Sequence, residues 1–334
     1  MILSYLPRLI CLSFATFFLA WAAMESASLL MAPSALRFAD RMSPRGAARF
    51  ILVLRLLPCG LGGLVVFGLC IPSYLWLEPG VSHERVGIAC VLAAMLGAAI
   101  CAASVVRGIR ALFGTFRFGN RCRRAGTITQ ISKDDASPVC LIAGDSPLLG
   151  ITGVFCPCLI VSQGVLNALS AEQLRVALRH EAAHVAFRDN LHRLLLLLTP
   201  RALPFRRGRQ ILDGGWDRFT EWAADDWAVG GDSRDSLALA TALVRMARMG
   251  PAPRMAPLSM SLLDSDHDLS ARVNRLLLSR ANRVPVESRK SRLGSQVLTP
   301  PGGTAFLIAG LLGAIIMHPA TLYSVHSLLE KLIH

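Results

Sequence analysis

Charge is scarce in this sequence. Only 17% of its 334 residues are Asp, Glu, Lys or Arg, while 53% are hydrophobic. A soluble protein of this length needs more charge to cover its surface, so the composition argues against a fully water-exposed chain and for membrane spans. Acids are scarcer than bases, 22 against 35, which leaves a net charge of +13. That excess raises nucleic acid as a partner. Yet the chain lacks any helix-turn-helix, zinc-finger or aromatic RNA-binding pattern, and aromatics are only 7% of it. No direct nucleic-acid binding is expected. A second cysteine pair is missing too. "CPC" at Cys156–Cys158 looks like half a metal site, but it sits in an apolar, strand-like run with no partner pair, so packing is favoured over ligation.

Long apolar runs are what the sequence does have. A bilayer takes about 20 such residues. Four runs qualify, at about 3–24, 56–77, 86–106 and 303–326. The third carries no charge, and His318-Pro319 marks a kink in the fourth. Arginines orient them. Arg37, Arg41, Arg45 and Arg49 fill a basic loop over 25–55, and six more lie between Arg107 and Arg124. The loop between the second and third runs has only Arg85. Positive charge stays inside. The loop 25–55 and the segment 107–302 are therefore expected on the cytoplasmic side of a multi-pass membrane protein, with a short external tail at 327–334. A cleaved signal peptide ending at "AWA" would place both basic segments outside, against the charge bias. Arg55 and His318 are the only ionisable candidates deep in the spans, and Arg55 can snorkel to the cytoplasmic edge, which disfavours a transporter. Cys11, Cys59, Cys70, Cys90 and Cys101 read as small apolar residues of the spans, and Cys122 and Cys140 as reduced cytoplasmic thiols.

The cytoplasmic segment opens on "RGIRALFGTFRFGNRCRR", a short helix or loop on anionic headgroups or a solvated linker. Strand-like runs follow at 127–132, 138–144 and 154–162. Then Ser170 and Gln173 form a capping box, and a helix is predicted to about Arg188. On it, "HEAAH" sets His180 and His184 one turn apart on one face. Two imidazoles so placed can share an ion, and Glu181 is close enough to reach a water beside it. A second helix, "FTEWAADDWAV", puts Glu221 and Asp225 four apart. A third ligand and an acid that orients a ligand histidine are what a catalytic zinc site needs. Asp226 reads as a surface acid and His192 as structural. The leucine run after His192 is too short to span.

These residues carry a resemblance. "SPLLGITGVFCPCLIVSQGVLNALSAEQLRVALRHEAAHVAFRDN", with Glu221 and Asp225, resembles the zinc metallopeptidase domain of the BlaR/MecR family of β-lactam-sensing transducers. The order of parts is similar as well, and the resemblance implies a place in the inner (cytoplasmic) membrane of a bacterium. The resemblance implies four transmembrane helices and a cytoplasmic α+β zincin (gluzincin) domain between the third and fourth. It implies one zinc ion per chain on His180, His184 and Glu221, with Glu181 as general base and Asp225 behind the ligands. Substrate in zincins lies along an edge strand, so "CPCLIVS" is the expected cleft wall. His267 and Arg272 are similar to a His…Arg pair of related gluzincins that contacts the oxyanion or substrate, though the spacing departs from it.

The expected function is therefore a membrane zinc endopeptidase in signalling or regulated proteolysis. Its expected partners are membrane lipids and a protein substrate such as a cytoplasmic transcriptional repressor. The family's large external sensor domain has no counterpart in the tail of about ten residues, which points to a separately encoded membrane sensor partner. Two other readings stay open. One is an HtpX-like membrane quality-control protease, and the other a non-catalytic zinc-containing receptor or scaffold. The presence of Glu181 weighs against the scaffold, which has no need of a base.

Overall fold

The computed structural model describes residues 5–77, 86–129, 139–201, 206–250, 255–262 and 269–281, with 324 and 327. These residues are mostly helical, with one small mixed sheet. Three stretches are long and apolar enough to cross a membrane, Tyr5–Leu30, Pro44–Leu77 and Ile88–Ala125, which points to a membrane-embedded protein. The predicted fourth span at 303–326 and the tail at 327–334 lie outside the described residues, apart from 324 and 327.

The first stretch is helix α1 (Tyr5–Leu30), followed by the short α2 (Ala32–Ala39). Helix α3 (Pro44–Val65) opens on Ser43, whose hydroxyl accepts from the Gly46 amide, with Pro44 in the first turn. It passes through a π turn, Val66–Cys70, into α4 (Ile71–Leu77). Pro72 is the second residue past that turn. It has no N–H to return to the carbonyl four residues back, so the helical ladder widens there. Helix α5 (Ile88–Ala125) has 38 residues. Gly97 lets it approach α1, since a Cβ at that position would meet the Phe14 carbonyl.

Two sequence expectations change here. The basic loop over 25–55 is largely helical, and no break separates the third span from the segment after 107. The reason is local. Neither 45–57 nor 88–125 contains proline, and their alanines, leucines and arginines favour helix. At 1.5 Å per residue α5 is about 57 Å long, nearly twice the roughly 30 Å of a hydrocarbon core. The arginine-rich halves of α3 and α5 therefore extend past the apolar zone as helix.

Those extensions carry the rest of the fold. The sheet contains β1 (Thr127–Thr129), β2 (Val139–Ile142), β3 (Leu149–Thr152), β4 (Cys158–Ser162) and β5 (Ser259–Ser261), in the order β1-β2-β4-β3-β5. Strands β2 and β4 are parallel and the other neighbours antiparallel. The resemblance implies an edge strand at β4. It lies inside the sheet instead, because the chain folds back at Gly153 (φ 102°) and pairs β3 with it, and β5 then takes the outer position.

Six helices follow: α6 (Gln163–Ala168), α7 (Ala171–Phe187), α8 (Asp189–Leu198), α9 (Arg206–Val229), α10 (Ser233–Arg248) and α11 (Leu269–Ala281). The predicted capping box is present. Ser170 Oγ accepts from the Gln173 amide at 3.3 Å, and Gln173 Oε1 accepts from the Ser170 amide at 3.1 Å. Apolar side chains of β3, β4, α7 and α10, among them Leu149, Val161, Val176 and Leu243, close one core.

A second contact zone joins this domain to the spans. Arg55 of α3 is fully buried, bonded to Glu25 of α1 at 3.2 Å and to Asp213 of α9 at 2.9 Å. Arg209 of α9 meets Glu25 at 2.7 Å. Arg55 thus does not snorkel to a membrane edge as the sequence predicts, because two carboxylates supply its partners inside the protein. Arg55→Ala takes one of two guanidinium partners from buried Glu25, leaving Arg209, and should cost about 1–3 kcal/mol of stability. Asp40→Ala opens only the half-exposed pair with Arg218 and should cost less than about 1 kcal/mol. Reversible unfolding in mild detergent measures both, and equal losses would contradict the ranking.

Candidate metal centre

The candidate centre lies where α7 crosses α9. The 3.6-residue period brings His180 and His184 to the same face of α7, and Glu221 and Asp225 to the facing side of α9. All four are buried. His180 Nε2 lies 3.2 Å from His184 Nε2 and 3.4 Å from a Glu221 oxygen, and His184 Nε2 lies 3.7 Å from the other. Ligands about 2.1 Å from a tetrahedral ion sit about 3.4 Å apart. His180, His184 and Glu221 therefore fit a single metal ion.

The other face of each imidazole is fixed by a carboxylate. His180 Nδ1 is 3.0 Å from Asp225, and His184 Nδ1 is 2.7 Å from Asp189. Such partners set the ring orientation and turn Nε2 to the metal. Asp189 was not anticipated. It reaches His184 because Arg188 takes a left-handed conformation (φ 57°), which ends α7 and swings the start of α8 back. A carboxylate just past the second histidine is the sequence signal, but the turn that aims it is not written in any glycine.

Arg272 on α11 is also buried. Its guanidinium donates to both oxygens of Asp225 at 2.7 and 2.9 Å and to the Leu262 carbonyl at 2.9 Å, and it pairs with Glu221 at 2.8 Å. The sequence offered it as an oxyanion or substrate contact. In the structure it is paired with Glu221 and Asp225. His267 lies outside the described residues. Asp226 is a half-exposed acid paired with Arg275 at 2.6 Å, and His192 stands 3.8 Å from Asp189. Cys156 is exposed, Cys158 is buried, and neither joins the metal-ligand group.

Electrostatics follow from burial and pairing. Burial pushes the Glu221 carboxyl up, but Arg272 and the two histidines outweigh it and hold it at about 2. Asp225 is held well below the carboxylate range against the same burial, by Arg272 and His180. Burial lowers His180, yet its bonds to Asp225 and Glu221 win and raise it to about 9. Glu181 is fully buried next to the ligands, and burial raises it to about 7. Both of its oxygens lack a hydrogen-bond partner among the described residues. A buried carboxylate without partners is costly unless a ligand or water completes it.

One cavity, of about 290 Å³, reaches His184 between Ile151, Val154, Phe155 and Leu191. A larger one, of about 560 Å³, shares the Gly153–Phe155 turn and runs to Ile109, Phe113 and Phe116 on α5. No protein-family model matches the chain, and no curated protein matches it in sequence.

The purified chain should bind about one divalent ion, and His184→Ala or Glu221→Ala should abolish stoichiometric binding. Asp189→Asn should weaken it by about 10–100-fold, as losses behind metal ligands do. Metal analysis and chelator competition read both. Uptake also needs neutral His180, while the metal-free group holds its proton up to about pH 9. Affinity should therefore rise about tenfold per pH unit from neutral pH and level off near 9, with proton release on binding. An affinity flat across that range would contradict the assignment.

Proposed function

We propose that the chain is a membrane-embedded zinc endopeptidase. In this reading it has a fourth span at 303–326 and a cytoplasmic gluzincin domain, and it cleaves a protein substrate in regulated proteolysis. The observation that carries it is Glu181. A scaffold built around a structural metal has no use for a buried carboxylate without a partner among the described residues beside a three-ligand group, and structural zinc sites take four protein ligands. The donor set of two imidazoles and one carboxylate suits zinc and leaves one position open.

When bound, zinc supplies Lewis acidity to a peptide carbonyl and acidifies water. The residues of the chain do the rest. Glu181 has a pKa of about 7, so near neutral pH it can take a proton from water and return one to the leaving amine. Asp189 and Asp225 keep the imidazoles aimed. Arg272 holds Glu221 ionised, so the ligand stays anionic through the cycle. The cavity against His184, walled in part by Ile151, Val154, Phe155 and Leu191, accepts a hydrophobic side chain of the substrate.

A second reading, a quality-control protease acting on membrane proteins, draws support from the larger cavity. It shares the Gly153–Phe155 turn with the cleft and extends along exposed Phe113 and Phe116 of α5. The resemblance to the BlaR/MecR family favours a cytoplasmic repressor as substrate instead.

Glu181→Gln separates binding from chemistry. It should keep the metal and reduce cleavage by about 10²–10⁴-fold, the range for losing a general base. Quantitative proteomics of cells carrying wild type or Glu181→Gln should reveal fragments that depend on the acid. If the variant cuts as wild type does, the endopeptidase reading fails.

A further inference from the structure

A third cavity lies behind the candidate metal ligands, between α3 and the junction of α7, α8 and α9, and none of those ligands lines it. Its volume is about 370 Å³, within the roughly 300–1,000 Å³ of small-molecule sites. Three arginines line it: Arg45 and Arg49 from the first turns of α3, and Arg188 from the opposite wall. Arg45 and Arg49 are four residues apart and so share one helix face. None of the three forms an ion pair with a described carboxylate. The one acid in the wall is Asp189, whose oxygens face His184 and His192. Three cations against one carboxylate leave an excess of two positive charges.

Two further features show that this is more than a basic surface. The Arg45 guanidinium is stacked over the Phe187 ring at 4.3 Å, so its position is set before any ligand arrives. Thr220, also in the wall, is 2% exposed, and its buried hydroxyl has no hydrogen-bond partner among the described residues. A buried hydroxyl without a partner costs free energy that a bound acceptor recovers. Guanidinium groups on two sides and a free hydroxyl suit a tetrahedral oxyanion with acceptors in several directions. Buried Leu52 and exposed Val53 add an apolar side to the same cavity.

We propose that this cavity is a binding site for a phosphate group, held by Arg45, Arg49 and Arg188 with Thr220 behind them. The phosphate comes either from an anionic phospholipid headgroup or from free phosphate. The apolar side and the place on α3, where its arginine-rich turns meet the apolar span, match a headgroup with its first acyl carbons. The site is independent of the proteolysis reading, because it uses neither Glu181 nor a metal ligand.

The test uses the full chain in neutral detergent and three probes: dioctanoyl phosphatidylglycerol, dioctanoylglycerol and sodium phosphate. Calorimetry should show the phosphatidylglycerol binding at least about tenfold more tightly than the diacylglycerol, which lacks the phosphate, and weakening as salt is added. Sodium phosphate binding as tightly as the lipid would support the site and assign it to free phosphate. Much weaker phosphate binding would support it and assign it to lipid. The Arg45→Gln, Arg49→Gln double variant should weaken the favoured probe by about 10–100-fold. If that variant does not fold, Ala48→Trp keeps the arginines, fills the cavity and should block the probe. Wild type that binds neither phosphate probe, diacylglycerol that binds as well as phosphatidylglycerol, or a folded variant that binds as wild type does would each overturn the proposal.

Discussion

Arg272 carries a positive charge into the protein interior and meets two carboxylates from consecutive turns of α9. Neither Glu221 nor Asp225 could stay ionised at that depth alone, since burial pushes both carboxyls up. The guanidinium reverses the effect and fixes geometry with it. Its fork grips both oxygens of Asp225, and Asp225 in turn faces His180 Nδ1. Its remaining donors reach Glu221 and the Leu262 carbonyl beside β5. One side chain thus connects α11, α9, α7 and the end of the sheet. Every partner needs the others, because a half-completed buried ionic network costs more than none.

The same α9 is anchored a second time, two turns before Glu221. Asp213 and Arg209 enter the buried cluster with Arg55 and Glu25 from the candidate spans. The helix that carries Glu221 of the candidate metal centre is therefore also an interior wall of the helix bundle. Thr115 of α5 accepts from the Leu258 amide just ahead of β5, and Arg107 donates to the Thr199 carbonyl after α8. The domain is not a globe on a tether. Its ligands sit on elements that continue the packing of the membrane helices.

The helical part of the centre was legible because its signals are periodic and local. A four-residue spacing on an amphipathic helix puts His180 with His184, and Glu221 with Asp225, whatever the tertiary context. The capping box of Ser170 and Gln173 places the start of α7 in the same way. What escaped depends on contacts distant in sequence or on unusual backbone. Asp189 needs the left-handed Arg188. Arg272 reads as a substrate contact until its carboxylate partners are seen in space. Strands β3 and β5 have four and three residues, too short for an alternation to register, and without them β4 reads as an edge. Residues 107–125 read as a separate piece because charge replaces apolar residues there, although the backbone continues in one helix.

That unbroken α5 would transmit a change in the surrounding lipid in a way that side-chain chemistry does not describe. A rod of about 57 Å that pivots by about 10° moves its far end by about 10 Å. Tilt is how a long apolar helix adjusts to bilayer thickness. The far end of α5 turns at Gly126 into β1, and the strand pairing runs from there through β2 and β4 to β3, whose turn borders the cleft at His184. A change in the tilt of α5 would therefore reach the sheet with a lever arm, and packing against α1 and α8 is what resists it.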